Sequence, residues 1–220
     1  MKTIKHILVG VFVLLCIHFG YSQNRSITER TFTIQSTEKF TPLGLLKESG
    51  EILSHRMNCM SLRDFSVAND DAGSAQIIKI TDTIETVHLK DLLTAPGKVN
   101  FYENSNRNDS LVPIFTQKST RAIILEAHAD FSDKMNPALC ITLNEDLRTT
   151  FKEATKRNIN KSISLVVDNK VIASPRVVDE IAGGQITMTG RGFSKTEVMK
   201  LAAIISSGEL PVKLTIVSVK

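Results

Sequence analysis

Apolar residues either alternate with polar ones or recur at helical spacing along most of this chain, and the two periods cut it into short elements. Phe32 and Ile34 alternate with Thr31 and Thr33 between Arg30 and Gln35, the pattern of a strand. From Pro42 onward, Leu45, Ser49, Ile52, Leu53, Arg56 and Met60 lie along one helix face. Pro42 suits the first turn and Thr41 is the expected cap. Phe65 and Val67 predict a strand, Asp70 to Gly73 a turn, and Ile77, Ile78 and Ile80 the returning strand. Thr86 to Leu93 is a short helix stopped at Pro96-Gly97, and Val99 and Phe101 predict another strand. The order is strand, helix, strand, strand, helix, strand. That is a ferredoxin-like split pattern, two helices over a four-stranded antiparallel sheet, and it assigns residues 30–103 to a base lobe.

Residues 104–109 are polar and rich in Asn, a linker. A second lobe is expected over residues 110–220. Ile123 to Phe131 and Ala138 to Leu143 read as strands. Asn144 is the expected cap of a helix with Leu147, Phe151 and Ala154 inward, and Lys152, Lys156 and Arg157 on a solvated face. Ile163, Leu165 and Val167 form a strand that turns at Asp168-Asn169 into Val171-Ile172. Pro175 ends the pairing, and Gly183-Gly184 marks a sharp turn or a close backbone approach. Ile186 and Met188 alternate with Thr187 and Thr189. Ser194 and Glu197 then form a capping box, with Phe193 and Val198 as its hydrophobic staple. Val198, Leu201, Ala202 and Ile205 share one face of that helix. Gly208 is expected to end it in the left-handed conformation, before Pro211. Leu214, Ile216 and Val219 make a last strand, free to pair with either lobe. The fold class is α+β.

Lys2 and Lys5 precede an apolar run from Ile7 to Phe19, and Gly20 and Ser22 are small residues spaced for cleavage before Gln23. The run is shorter than the roughly 20 apolar residues of a spanning helix. The expectation is a signal peptide over residues 1–22 and a periplasmic mature chain. Retention of the segment as an anchor is the alternative, and only that would bring the chain to the membrane. A lipidation site prefers a small residue where Leu15 precedes Cys16. Without Lys2 and Lys5 the formal charge of +4 falls to +2, which leaves no basic stripe for nucleic acid. Trp is absent and aromatics make up 5% of the chain, so the expected core is aliphatic. Cys59 and Cys140 sit in apolar segments and read as buried free thiols, with a disulfide open to them in an oxidising compartment. Neither has an evident His neighbour.

No catalytic constellation stands out, and no cofactor is expected. His55, His88 and His128 lack a second ligand at metal-binding spacing. Glu126, His128 and Asp130 share a strand face at period 2 and could hold a metal, against the simpler reading of a wet strand face. No nucleophile elbow is present, and Gly183-Gly184-Gln185 lacks the Lys and Ser/Thr of a phosphate loop.

The run from Val166 to Pro175, followed by Gly183-Gly184, Gly190 and Ser207 to Pro211, resembles the head of the first periplasmic domain of the SecD family. Ile52 to Asn58, Phe65 to Val67, Leu92-Leu93 and Gly97 to Phe101 resemble the base of the same domain. The resemblance spans about Arg30 to Lys220 and implies a base lobe, a head lobe and a part in Sec-dependent export. It implies a domain that holds exported polypeptide, its head moving on its base, with components of the Sec translocon as further partners. The later transmembrane helices of the family are not in this sequence, so what carries over is the binding domain alone. Two other readings stay open: a structural subunit docked on the Sec machinery or another envelope complex, and a metal-dependent enzyme around Glu126, His128 and Asp130. If the head binds extended polypeptide, the candidate contacts are Pro175, Val177, Val178, Ile181, Gly183 and Phe193. The glycine permits close approach, and the others are apolar or rigid residues in loops between strands. The competing reading is that they fill the core.

Overall fold

Local patterning carries through to most elements of the computed structural model, which describes residues 26–104, 110–190 and 193–220. Strand β1 (Thr28–Ser36) buries Phe32 and Ile34 on one face. Helix α1 (Leu43–Cys59) buries Leu46, Ile52, Leu53 and Met57. Pro42, not Thr41, is its N-cap residue, and the Pro42 carbonyl accepts from Leu45 and Leu46 N–H. The Thr41 hydroxyl is buried without a partner. Next come β2 (Phe65–Asn69), β3 (Ala75–Asp82), α2 (Thr86–Thr94) and β4 (Val99–Asn104). They are followed by β5 (Leu111–Pro113), α3 (Thr120–Ile123), β6 (Ile124–Asp130), β7 (Ala138–Leu143) and α4 (Glu145–Arg157). The chain closes with β8 (Ile163–Val167), β9 (Lys170–Ala173), β10 (Gln185–Thr189), α5 (Lys195–Ser207) and β11 (Leu214–Val219).

The described strands form three sheets, ordered β11-β1-β3-β2, β5-β4-β8-β9 and β10-β7-β6. The first differs from the expected four strands in one member. β4 is not its fourth strand but pairs with β8, Phe101 opposite Leu165. β11 takes the empty edge beside β1, with Ile34 opposite Ile216 and Ser36 opposite Leu214. The alternation of Val99 and Phe101 fits either sheet, so the pattern could not choose. Gly97, at φ +85, turns the chain out of the first sheet after α2.

Helix α5 packs against α1 and α2 on one side and β6 and β7 on the other. One apolar core therefore runs from Phe32 and Ile34 through Ile204 and Ile205 to Leu139 and Ile141. It is not wholly aliphatic, because Phe101, Phe115 and Phe151 pack together, Phe101 meeting both other rings edge-on.

The expected capping box opens α5. Ser194 Oγ accepts from Glu197 N–H at 3.2 Å, and Glu197 Oε2 accepts from Ser194 N–H at 3.1 Å. The helix does not end in the left-handed region. Gly208 has φ 80 and ψ −170, a conformation confined to glycine for a different steric reason. Asn144 stands at the start of α4, yet its side chain donates to Arg121 O at 2.9 Å instead of capping the helix. Cys59 is exposed and Cys140 half-buried, both free, so neither is the fully buried thiol expected. His55, one helical turn before Cys59, brings Nε2 to 3.5 Å from its Sγ, a neighbour the sequence reading overlooked. Partial burial pushes the Cys59 thiol pKa up. The segment 1–22 and residues 105–109 of the expected linker lie outside the described residues. No helix among the described residues is long and apolar enough to cross a membrane.

β4 and α4 are tied by Glu103, whose carboxylate accepts from Arg157 Nε at 2.9 Å, Arg157 Nη2 at 2.8 Å and Asn158 Nδ2 at 2.5 Å. The Arg157 hydrogen bonds, more than any other cause, hold the Glu103 carboxyl below its usual range. Its pKa is lower folded than unfolded. The stabilisation is therefore present above the unfolded value near about 4.3 and is lost as pH falls through the folded value. Glu103→Gln is expected to cost about 1 kcal/mol at neutral pH. Melting midpoints of the two proteins should converge in acid, and a gap that persists at low pH would refute the ionic origin.

Candidate binding groove

The β8–β9 turn is made by Asp168 (φ 50) and Asn169 (φ 64), two residue types that tolerate positive φ and close a two-residue hairpin with the right twist. After β9 the chain does not leave the sheet at once. Ile163 N–H donates to Pro175 O at 3.2 Å, Val177 N–H to Lys161 O at 2.8 Å, and Asn160 N–H to Val177 O at 2.8 Å. Residues 175–177 are thus held beside 159–163. The Thr155 hydroxyl then accepts Ile181 N–H at 2.9 Å. Gly184, at φ +67, lets the chain pass α4, for a Cβ there would lie 2.7 Å from Arg148 Cγ. The close approach expected of Gly183-Gly184 belongs to Gly184 alone, since a Cβ on Gly183 would meet nothing.

This path leaves a groove of about 290 Å³ between the 175–181 segment and β10. Phe101, Phe151 and Ile163 line it from one side, and Ile186 and Met188 of β10 from the other. A second cavity of about 540 Å³ continues past Pro175 between β9 and the start of α5, bounded by Ile172, Thr189, Gly190, Phe193 and Leu201. Pro175 lines both. β9 and β10 are each the edge strand of their sheet.

The structure brings four of the six candidate contacts together in the first groove: Pro175, Val177, Val178 and Ile181. Phe193 lines the second, and Gly183 lines neither. Val178 is 84% exposed, a large apolar side chain left in water, and Ile181 is half-buried. Val177 is 8% exposed and chiefly fills the core. Phe101, Phe151, Ile186 and Met188 were missed as groove residues. Their strand and helix periodicity signals burial, and nothing local tells a core wall from a groove wall.

Charges of both signs stand at the rim, Lys152 and Arg176 against Asp179 and Glu180. Lys152 meets Glu180 at 3.5 Å, Arg176 donates to Asn160 at 3.0 Å, and Lys200 meets Asp91 at 2.8 Å. Hydrogen bonds from Ser194 N–H and Oγ hold the Glu197 carboxyl below its usual range. The groove is accordingly apolar in its floor and close to neutral at its rim. On β6, His128 Nδ1 lies 3.5 Å from Glu126, while Asp130 turns to Ser132 N–H and Oγ at 2.8 Å each. The three side chains do not converge.

The family model of the SecDF P1 head subdomain matches residues 102–212. The protein translocase subunit SecD of Acidaminococcus fermentans is 39% identical over 175 residues, 78% of this chain and 39% of that protein. SecD of Dictyoglomus turgidum is 23% identical over 214 residues, 95% of this chain and 50% of that one. The chain thus spans about two fifths to half of these relatives. Among solved structures, SecDF in its super-membrane-facing form superposes with a TM-score of 0.64 at 18% identity, covering 88% of this chain and 30% of that one. A chain from a structure of SecDF, described as a membrane component that enhances protein export, gives 0.63 at 18% identity and covers 86% and 99%.

Proposed function

The chain belongs to the SecDF P1 head family, as the first periplasmic domain of SecD, and from that premise we propose that it serves protein export by holding extended polypeptide, without catalysis. The observation that carries this reading is the apolar groove between the edge strand β10 and residues 175–181, with Val178 exposed above it. An edge strand offers unpaired backbone groups to a guest strand whatever the guest sequence. The five residues of β10 span about 17 Å at 3.4 Å per residue, room for one short extended segment. Val178 and Ile181 are the apolar side chains left to meet such a guest, above the buried Phe101, Ile186 and Met188. The near-neutral rim imposes little charge preference, which suits a carrier of many clients. Pro175, Val178, Ile181 and Phe193 are the proposed contacts, and components of the Sec translocon the proposed further partners. The working division is a base of β1, α1, β2, β3 and α2 with β11 returned to it, and a head that begins with β4, so the chain passes between them at residues 95–98 and not at the expected 104–109 linker.

Titration of labelled, unfolded peptides into the mature protein at moderate salt tests the reading. Micromolar binding is expected, weakened at least about tenfold, or 1.4 kcal/mol, by the Val178→Asp, Ile181→Asp double variant. These side chains are exposed and half-buried, so the variant should fold. If the folded protein binds no peptide but recovers a defined envelope complex, the structural-subunit reading replaces this one.

A further inference from the structure

The chain crosses between the two lobes twice, once at residues 95–98 after α2 and once at 208–213 after α5. The largest fully buried side chain in the described molecule, Arg56 of α1, sits where both crossings meet. Its Nη1 donates to Leu92 O at 3.0 Å, in the last turn of α2, and to Ala95 O at 2.6 Å, on the outgoing crossing. Its Nε donates to Ser207 Oγ at 3.0 Å and its Nη2 to Gly208 O at 3.2 Å, on the returning one. From the other lobe, Asp168 Oδ1 in the β8–β9 turn accepts Gly97 N–H and Lys98 N–H, each at 2.8 Å, and Asp168 N–H donates to Lys98 O at 2.8 Å. The crossings also bond each other, Leu210 N–H to Pro96 O at 2.8 Å.

We propose that Arg56 and Asp168, one from each lobe, are the pins of a joint that fixes the angle between the lobes. Both are positioning residues. The acceptors that Arg56 holds are neutral carbonyls and one hydroxyl, so the buried charge is tolerated only while the whole set stays in place. Desolvation lowers the Arg56 pKa to about 10, and Asp168 opposes that through space. A rotation that carried residues 207–208 away from 92–95 would strip acceptors from a guanidinium still out of water. The joint therefore resists small displacements and yields all at once. A planar fork reaches both crossings, and the single ammonium of lysine cannot.

The test measures the angle as a distance. Spin labels are placed at exposed Lys79→Cys on β3 and Met135→Cys beyond β6, in a mature chain carrying Cys59→Ser and Cys140→Ala, and read by double electron–electron resonance. One narrow distance is expected for the parent. Arg56→Lys and Asp168→Gly should each give a broadened or shifted distribution, and Arg157→Lys, outside the joint, should not. Glycine accepts the positive φ of position 168, so Asp168→Gly decides the matter if Arg56→Lys does not fold. A broad parent distribution overturns the proposal. So does a narrow, unshifted distance in either folded variant well below its melting midpoint, even with a lowered midpoint, which would mean general stabilisation only.

Discussion

Phe151→Ala is expected to lower folding stability by about 3–5 kcal/mol. Phe151 is 2% exposed, and its ring centroid lies 5.1 Å from that of Phe101 and 6.0 Å from that of Phe115. Removing it takes one ring from a trio in which each ring meets the other two, and leaves a cavity beneath the groove. The neighbours cannot collapse freely, because β4 is tied to β8 and α4 is held through Arg157 to Glu103. Chemical denaturation reads the change directly. A loss below about 1 kcal/mol would mean that the ring is dispensable and the core relaxes around it. The same variant should weaken peptide binding even where it remains folded, since Phe151 lines the groove.

Gly97→Ala is expected to be the second most damaging single change, at about 3 kcal/mol or more. Its φ of +85 penalises any side chain, and a Cβ would lie 2.7 Å from Gly208 O and 2.8 Å from Arg56 Nη2. The first obstacle is backbone, so the crossings must part to admit a methyl group. Gly208→Val shares the backbone strain but meets chiefly Arg121, a flexible side chain that can move aside. Its expected cost is lower, about 1–3 kcal/mol. Thermal melts of the two variants should rank in that order. The reverse order would show that Arg121 is the more rigid obstacle.

The parts legible from sequence are those settled within a few residues. Ser194 and Glu197 recognise each other across one helical turn, and the structure makes both hydrogen bonds. Asp168-Asn169 closes its hairpin because these two side chains tolerate positive φ. Leu147, Phe151 and Ala154 share the buried face of α4 at the spacing that predicted it. The α+β class followed from summing such elements, and the order of head motifs from Val166 to Pro211 was enough to point at the family.

Questions of partnership needed the tertiary structure. Val99 and Phe101 carry a strand pattern that any sheet accepts, and only the turn at Gly97 and the free edge beside β1 put β4 in one sheet and β11 in another. Val177 and Val178 are chemically identical neighbours, yet one is in the core and one in water, because 175–177 is held beside 159–163 and the chain then leaves it. Arg56 reads from sequence as one polar residue on an apolar helix face. Its acceptors come from α2 and α5, far along the chain, and no local spacing could announce them. Period and capping are energies of neighbouring residues, so the chain states them in order. Sheet partners, groove walls and the burial of a charge depend on which distant segments arrive together, and that is decided only when the whole core closes.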